Sequence, residues 1–150
     1  MAMVYLYFSS REYSERDRLT RFKCQLRVRY ADTDQGGVVY NSNYLVFFEV
    51  GRTEMMRELG VTYAQLETEG TIMPVVESHV NYLSPARYDD LLILETEVIE
   101  LRRVRVKIST EIYESQSGRL LATGWVWLAS IDADGNLKRL PTALVDAVSA

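Results

Sequence analysis

The chain has 150 residues, a net charge of −4 at pH 7, and 47% apolar and 25% charged residues. These values are ordinary for one globular domain, and they argue against nonspecific binding to nucleic acid, which calls for a basic surface. The single cysteine, Cys24, excludes an internal disulfide, fits the reducing cytoplasm and leaves no cysteine-based zinc pattern.

The first twenty residues carry the weakest structural signal. Residues 1–8 are apolar, but the run is too short to span a membrane and lacks the basic segment of a signal peptide. Residues 9–20 are charged and show no clear period. We therefore expect residues 1–20 to be an N-terminal extension of unknown role, followed by one domain over residues 21–150.

Residues 22–30 alternate between apolar and polar side chains, which predicts a half-buried strand. Its apolar face consists of Phe22, Cys24, Leu26, Val28 and Tyr30. Residues 31–39 follow as a loop, rich in aspartate and glycine.

A long amphipathic helix is predicted from about Asn41 to Leu59. Apolar residues recur there at three- and four-residue steps, as one face of a helix requires. This stripe consists of Tyr44, Phe48, Gly51, Met55 and Leu59. Gly60 is a suitable C-terminal stop, and residues 62–69 predict a second, short helix.

Four further strands are predicted in the second half of the chain, over residues 74–83, 91–100, 103–113 and 120–131. Short turns join most of them, which favours an antiparallel sheet and the α+β class. The last strand is apolar on both faces. One face can pack on the helix, and a partner subunit is the natural cover for the other, which indicates an oligomer.

Residues 30–54 carry the strongest functional signal. Asp34 stands just before Gly36 and Gly37, and the long helix begins soon after them. Free backbone N–H groups at a helix start can polarise a carbonyl, and a carboxylate facing them suits acyl-transfer chemistry. From the residues alone, Asp34 is equally well explained as a turn or helix-capping residue.

Three motifs in order resemble the 4-hydroxybenzoyl-CoA thioesterase family of hotdog-fold proteins. The motifs are Asp32-x-Asp34-x-x-Gly37-Val-Val-Tyr40, Glu49-x-x-Arg52, and Pro85-x-x-Tyr88-Asp89-Asp90. The match is nearest to the bacterial branch associated with the Tol-Pal system, which hydrolyses acyl-CoA. It covers roughly residues 22–140 and implies an α+β hotdog fold, in which a curved antiparallel sheet of five or more strands wraps the long helix.

The resemblance also implies how such a protein works. The subunits pair edge to edge into a homodimer with active sites at the interface, and the dimers often pair again into a homotetramer. The substrate is acyl-CoA, and no metal or cofactor is needed. The alternatives are a thioesterase acting on acyl carrier protein, and a hotdog module that binds an acyl carrier or partner protein without catalysis.

By position in the family motif, Asp34 is the catalytic residue, either as nucleophile or as general base. The N–H of Asn41 at the helix start is then the donor to the thioester oxygen. Many members of this branch have histidine at this position, whereas asparagine cannot titrate near neutral pH. The pocket is shaped by Gly37, Val38, Tyr40 and Tyr44.

Arg102 and Arg103 are a candidate site for the phosphates of CoA, since guanidinium groups bind phosphate well. A solvated basic strand face explains the pair equally well. Lys138 and Arg139 are further candidates, contributed from another subunit.

The other conspicuous polar residues are interpreted as structural. Asp32 is expected to stabilise its loop, and the Asp89-Asp90 pair to fix the second loop. Glu49 is expected to pair with Arg52 or to line the pocket. The only histidine, His79, is expected to be a structural residue on a strand.

Overall fold

The computed structural model describes residues 21–150, so the expectation for residues 1–20 lies outside the described part of the chain. Five strands form one antiparallel sheet, and they are β1 (Phe22–Arg27), β2 (Val75–Tyr82), β3 (Leu91–Arg102), β4 (Arg105–Glu114) and β5 (Leu120–Ala129). Their order across the sheet is β1-β3-β4-β5-β2. The predicted α+β class with a five-stranded antiparallel sheet is confirmed.

The long helix α1 (Asn43–Glu58) lies across this sheet and contacts β1, β3, β4 and β5. Its predicted apolar stripe is confirmed, because Tyr44, Phe48, Gly51 and Met55 are buried. The predicted short helix is α2 (Tyr63–Thr68). None of the helices in residues 21–150 is long and apolar enough to cross a membrane.

A third helix, α3 (Thr142–Ser149), was not predicted from the sequence. It follows Pro141 and buries Leu144, which is 1% exposed, in a cluster with Met55 and Leu128. Eight residues are too few to show a helical period clearly, and isolated helices of this length are unstable in water. The helix therefore forms because it packs against the rest of the domain.

Two glycines allow α1 to sit close to the sheet. A Cβ atom at Gly124 of β5 would lie 2.3 Å from the carbonyl oxygen of His79 and 2.4 Å from Cε2 of Phe48. On the helix side, a Cβ atom at Gly51 would lie 2.6 Å from Oγ1 of Thr96. The helix and the sheet meet at distances that no other residue type permits at these two positions.

The strand predicted over residues 22–30 ends at Arg27, and the predicted orientation of Tyr30 is wrong. Tyr30 is 79% exposed, because residues Tyr30–Asp32 form a 3₁₀ turn instead of extended strand. The buried carboxylate of Asp32 accepts hydrogen bonds from the backbone and the side chain of Arg29, which turns the chain out of the strand.

The outer face of β5 is covered by cations of the same chain. The guanidinium carbon of Arg105 lies 4.3 Å from the ring centre of Trp127, and Nζ of Lys107 lies 4.0 Å from that of Trp125. Arg102 also stacks on Trp127, which is 5% exposed. Cations over aromatic faces are mutually stabilising, so part of the cover of this face comes from the chain itself, and cover by a partner subunit stays a prediction.

The strand β2 is an exposed edge of the sheet. Within residues 21–150 it pairs only with β5, and every residue of the strand except Val80 is exposed. Its neighbourhood also exposes apolar side chains on the strand and at the start of α1, namely Val75, Val76, Tyr82, Leu45 and Val46. A long uncovered edge with apolar surroundings is a surface suited to pairing with another chain.

Candidate active site

The loop between β1 and α1 folds back on itself and places Asp34 near its tip. Thr33 and Val39 form a β-bridge, and the N–H of Asp34 donates to the carbonyl of Val38 at 3.0 Å. The N–H of Gly37 donates to the carbonyl of Asp34 at 3.0 Å. Gly37 has φ of +75°, a conformation that favours glycine, so the motif residue is needed to close the turn.

The carboxylate of Asp34 is exposed, and one of its two oxygens is hydrogen-bonded within its own loop. Its Oδ1 accepts a hydrogen bond from the N–H of Gly36 at 2.7 Å. Within residues 21–150 no group donates to Oδ2, which leaves this oxygen for a substrate or a water molecule. Asp34 therefore does serve as a turn residue, and the turn fixes its carboxylate in position.

The backbone around Asn41 is held by its neighbours while its own N–H stays open. The carbonyl of Asp32 accepts from the N–H of Tyr40 at 2.9 Å and from Nδ2 of Asn43 at 2.8 Å. No group in residues 21–150 accepts from the N–H of Asn41. An exposed, unpaired donor just before α1 is suited to polarise a carbonyl.

One residue near this donor was missed by sequence reasoning. The hydroxyl of Tyr82, at the end of β2, donates to the carbonyl of Asn41 at 2.9 Å. The two residues are 41 positions apart, and no spacing pattern in the sequence signals the contact.

Asp32 stabilises the loop from its buried side, as predicted. It is 3% exposed, its Oδ1 accepts from Nη2 of Arg29 at 2.7 Å, and its Oδ2 accepts from the N–H of Arg29 at 2.8 Å. Hydrogen bonds from Arg29 lower the pKa of Asp32 below its ordinary value, although burial acts in the opposite direction. Asp32 is therefore ionised and structural at neutral pH.

We expect Asp32→Asn to lower the free energy of unfolding by about 1–3 kcal/mol at pH 7, because a buried, charge-assisted interaction is lost. A lowered folded-state pKa contributes stability above the unfolded pKa, and this contribution is lost as the pH falls through the folded pKa. The difference in unfolding free energy between wild type and variant should therefore shrink below about pH 4. Urea unfolding from neutral pH to below pH 4 measures this difference, with Asp134→Asn as the control. A gap independent of pH would contradict the assignment.

The predicted pocket residues differ in accessibility. Val38 is partly buried, Tyr40 is 48% exposed, and Tyr44 is 3% exposed. The hydroxyl of Tyr44 accepts from the N–H of Ala86 at 3.2 Å, and the carbonyl of Ala86 accepts from the N–H of Val39. Tyr44 thus supports the loop from the core, while Tyr40 lies at the surface.

Arg102 and Arg103 lie far from Asp34 within one chain. Arg102 is the last residue of β3 and Arg103 follows it, whereas Asp34 lies near the beginning of β3. The length of a twelve-residue strand, roughly 36 Å, therefore separates the two ends. Arg102 is engaged by Glu100 and by the ring of Trp127. Arg103 is exposed and makes no side-chain contact with charged or polar groups in the described part of the chain.

The remaining polar candidates have structural partners. Glu49 accepts from Thr53 at 2.9 Å, and among residues 21–150 it forms no ion pair with Arg52. The ring of His79 stacks on Trp125 at 5.7 Å, and Asp90 accepts from the N–H of Arg87 at 2.8 Å. No group of three or more acidic, histidine or cysteine side chains in the described residues is placed to hold a metal ion.

Known proteins are similar to this chain in sequence and in fold. Residues 28–148 match the family model of the thioesterase-like superfamily. The chain is 35% identical over 131 residues to the acyl-CoA thioester hydrolase YbgC of Escherichia coli O6:H1, covering 87% of this chain and 95% of that protein. It is 40% identical over 133 residues to the acyl-CoA thioesterase YbgC of Haemophilus influenzae, covering 86% and 92%. The crystal structure of the DHNA-CoA thioesterase from Staphylococcus aureus superposes with a TM-score of 0.82 at 33% identity, covering 86% of this chain and 89% of that one.

Proposed function

Since this chain belongs to the thioesterase-like superfamily and has its hotdog fold, we propose that it is an acyl-CoA thioesterase with Asp34 as the catalytic carboxylate. It hydrolyses the thioester to a free carboxylic acid and CoA. The observation that carries the assignment is the loop between β1 and α1. Among residues 21–150, it holds one carboxylate oxygen of Asp34 in a turn, leaves the other without a donor, and presents the unpaired N–H of Asn41 just before α1.

Two reaction sequences fit this arrangement. As general base, Asp34 takes a proton from water, the water oxygen attacks the thioester carbon, and the carbon–sulfur bond breaks to release the CoA thiolate. As nucleophile, Asp34 attacks the same carbon and expels the thiolate, and water then hydrolyses the mixed anhydride. In both, the N–H of Asn41 stabilises the oxyanion, and a proton finally returns to sulfur.

The same motifs support the proposals for the residues that line the acyl pocket and for the subfamily. We place the chain nearest to 4-hydroxybenzoyl-CoA thioesterases and their Tol-Pal-associated branch, because the three motifs are present in order. Gly37, Val38 and Tyr40 line the acyl site, and Tyr44 supports it from the core. Because Asn41 cannot titrate near neutral pH, the proposed reaction relies on Asp34, the backbone N–H of Asn41 and water.

A homodimer formed through β2 would complete the site, and its exposed edge supports this arrangement. The strand begins at Val75, beside the end of β5 that is close to Arg105, and it ends at Tyr82, beside Asn41. A two-fold axis that pairs β2 with its copy reverses the strand. Each protomer's Asp34 loop then faces the end of the partner that carries its arginines, and two dimers can pair into the expected homotetramer.

In such a dimer, the partner's Arg103 is the better candidate for binding CoA phosphate, since Arg102 is engaged by Glu100 and Trp127. We expect Arg103→Ala to raise KM for an acyl-CoA about five- to tenfold, the effect of one charge-assisted hydrogen bond. A thioester of the same acid with N-acetylcysteamine lacks the nucleotide, and its kcat/KM should not change. Steady-state kinetics on both substrates measure this, with Arg119→Ala as the control.

An equal loss on both substrates would show that Arg103 supports the fold and does not bind phosphate. Lys138 is a weaker candidate in the same region, because its Nζ already donates to the carbonyl of Gly70 at 3.3 Å.

The experiment that tests the function itself is a hydrolysis screen over short, long and aromatic acyl-CoA substrates, with thiol release and acid formation measured together. An acylated acyl carrier protein is added in competition. Turnover of at least one acyl-CoA confirms the activity. Turnover of the acylated carrier protein alone would identify acyl carrier protein as the thioester donor. Binding without turnover would contradict the proposal that the protein is an enzyme.

A further inference from the structure

The end of the edge strand β2 is tied to the start of α1 by one hydrogen bond. The hydroxyl of Tyr82 donates to the carbonyl oxygen of Asn41 at 2.9 Å. Its ring packs edge-on against Tyr44, with ring centres 5.3 Å apart and an interplanar angle of 78°. The hydroxyl and the ring of Tyr82 thus contact different parts of the same helix start.

The carbonyl of Asn41 depends on this contact because the first helical turn is loosely bonded. In a regular α-helix this carbonyl would accept from the N–H of Leu45. Here Leu45 donates to Ser42 at 3.1 Å, and the N–H of Tyr44 reaches Asn41 only at 3.4 Å. The side chain of Ser42, at the helix N-cap, makes no capping bond either.

The hydrogen bonds on both sides of Asn41 determine where its own N–H points. The N–H of Asn41 shares its peptide plane with the carbonyl of Tyr40, which accepts from the N–H of Asn43 at 2.9 Å, and Tyr40 is also held by the bond from its N–H to Asp32, at 2.9 Å. The following peptide is held through its carbonyl by Tyr82. Removing the hydroxyl of Tyr82 loosens the plane on the C-terminal side of Asn41, and the N–H of Asn41 loses the restraint that this plane provides.

We propose that Tyr82 is a positioning residue for the oxyanion donor: its hydroxyl fixes the peptide that follows Asn41, and this restraint keeps the N–H of Asn41 facing the thioester oxygen. This inference rests on the proposed function of Asn41. It also has a consequence for assembly, since Tyr82 belongs to the edge strand whose pairing would form the dimer. Displacement of β2 would disturb the donor even though no residue of the reaction itself lies on that strand.

The test is Tyr82→Phe, which keeps the ring against Tyr44 and removes only the hydroxyl. We expect kcat to fall about three- to tenfold, the effect of one neutral hydrogen bond, while KM stays within about twofold. The matched control is Tyr88→Phe, because Tyr88 is an exposed tyrosine whose ring packs edge-on against Tyr30 and whose hydroxyl has no hydrogen-bond partner in residues 21–150. The control should keep the wild-type kcat.

A second measurement does not depend on turnover. In a ¹⁵N-labelled sample, the amide resonance of Asn41 should shift in Tyr82→Phe and stay in place in Tyr88→Phe. A merely structural role predicts a lower Tm with unchanged kcat well below that Tm, and this result would overturn the proposal. If Asp34→Asn abolishes activity while Tyr82→Phe has wild-type kcat, the proposed function stands and only the role of Tyr82 fails.

Discussion

Asp34→Asn is expected to lower kcat by about 10²- to 10⁴-fold, the usual loss when a general acid–base group is removed. The fold should be retained, because the amide oxygen of asparagine can still accept the hydrogen bond that Oδ1 of Asp34 receives from Gly36. What is lost is the charge and basicity of the open oxygen. Thiol release from an acyl-CoA, measured beside a thermal unfolding curve, gives both quantities.

Comparison with Asp34→Ala separates catalysis from turn formation. If Asp34 only shapes the turn, the asparagine variant stays active and the alanine variant loses both stability and activity. If Asp34 is catalytic, both variants are inactive, and only the alanine variant is less stable. Asp134→Asn is the matched control, since it changes an exposed aspartate in a turn without altering the site. Wild-type turnover by Asp34→Asn would refute the mechanism.

Gly124→Ala should produce the largest loss of stability among single-methyl additions to the sheet. The new Cβ atom would overlap the carbonyl oxygen of His79 and the ring of Phe48, and backbone cannot move aside as a flexible side chain can. Overpacking of this severity costs about 3 kcal/mol or more. This corresponds to a decrease in Tm of roughly 10 °C for a chain of this length, measured at equal protein concentration.

The control is Gly135→Ala in an exposed turn. Gly135 has φ of +84° and no atom within 4 Å of the position of a Cβ, so its substitution reports backbone strain without a steric clash. It should cost about 1 kcal/mol, as expected for placing a side chain in a left-handed conformation. Equal destabilisation by the two variants would mean that the space at Gly124 does not determine how closely α1 approaches the sheet.

Periodicity predicted the main elements of the fold because their burial is one-sided. The stripe from Tyr44 to Met55 faces the sheet, and β3 alternates along most of its length. The pattern failed at Tyr30, where a local contact between Arg29 and Asp32 outweighs the tendency to continue the strand. It also failed to predict α3, whose stability depends on tertiary packing.

The second face of β5 shows the limit of reasoning from hydrophobicity alone. A partner subunit was expected to cover this face. Long cationic side chains of β4 already cover its tryptophans in part, with Lys107 over Trp125 and Arg105 over Trp127. The better argument for pairing comes from β2, whose position at the sheet edge cannot be read from its own residues, since strand order is a property of the whole topology.

For the candidate site, features within one short segment could be predicted from the sequence, but contacts between residues far apart in the chain could not. The glycines after Asp34 and the N–H of Asn41, two residues before α1, lie within one short segment, so their roles could be predicted from turn chemistry and from the family motif. The engagement of Arg102 by Trp127 and the hydroxyl of Tyr82 at the Asn41 carbonyl join residues far apart in the chain. Such contacts exist only after the sheet has formed.

The strand order also bears on how the protein folds and opens. The central strands β3, β4 and β5 follow one another through short turns, so their pairing closes only small loops. The outer strands β1 and β2 join from distant parts of the chain, at a larger entropic cost. The Asp34 loop follows β1, and Tyr82 ends β2, so both parts of the site belong to the periphery of the folding unit. Fluctuations that release an outer strand can therefore inactivate the site while the three central strands stay paired.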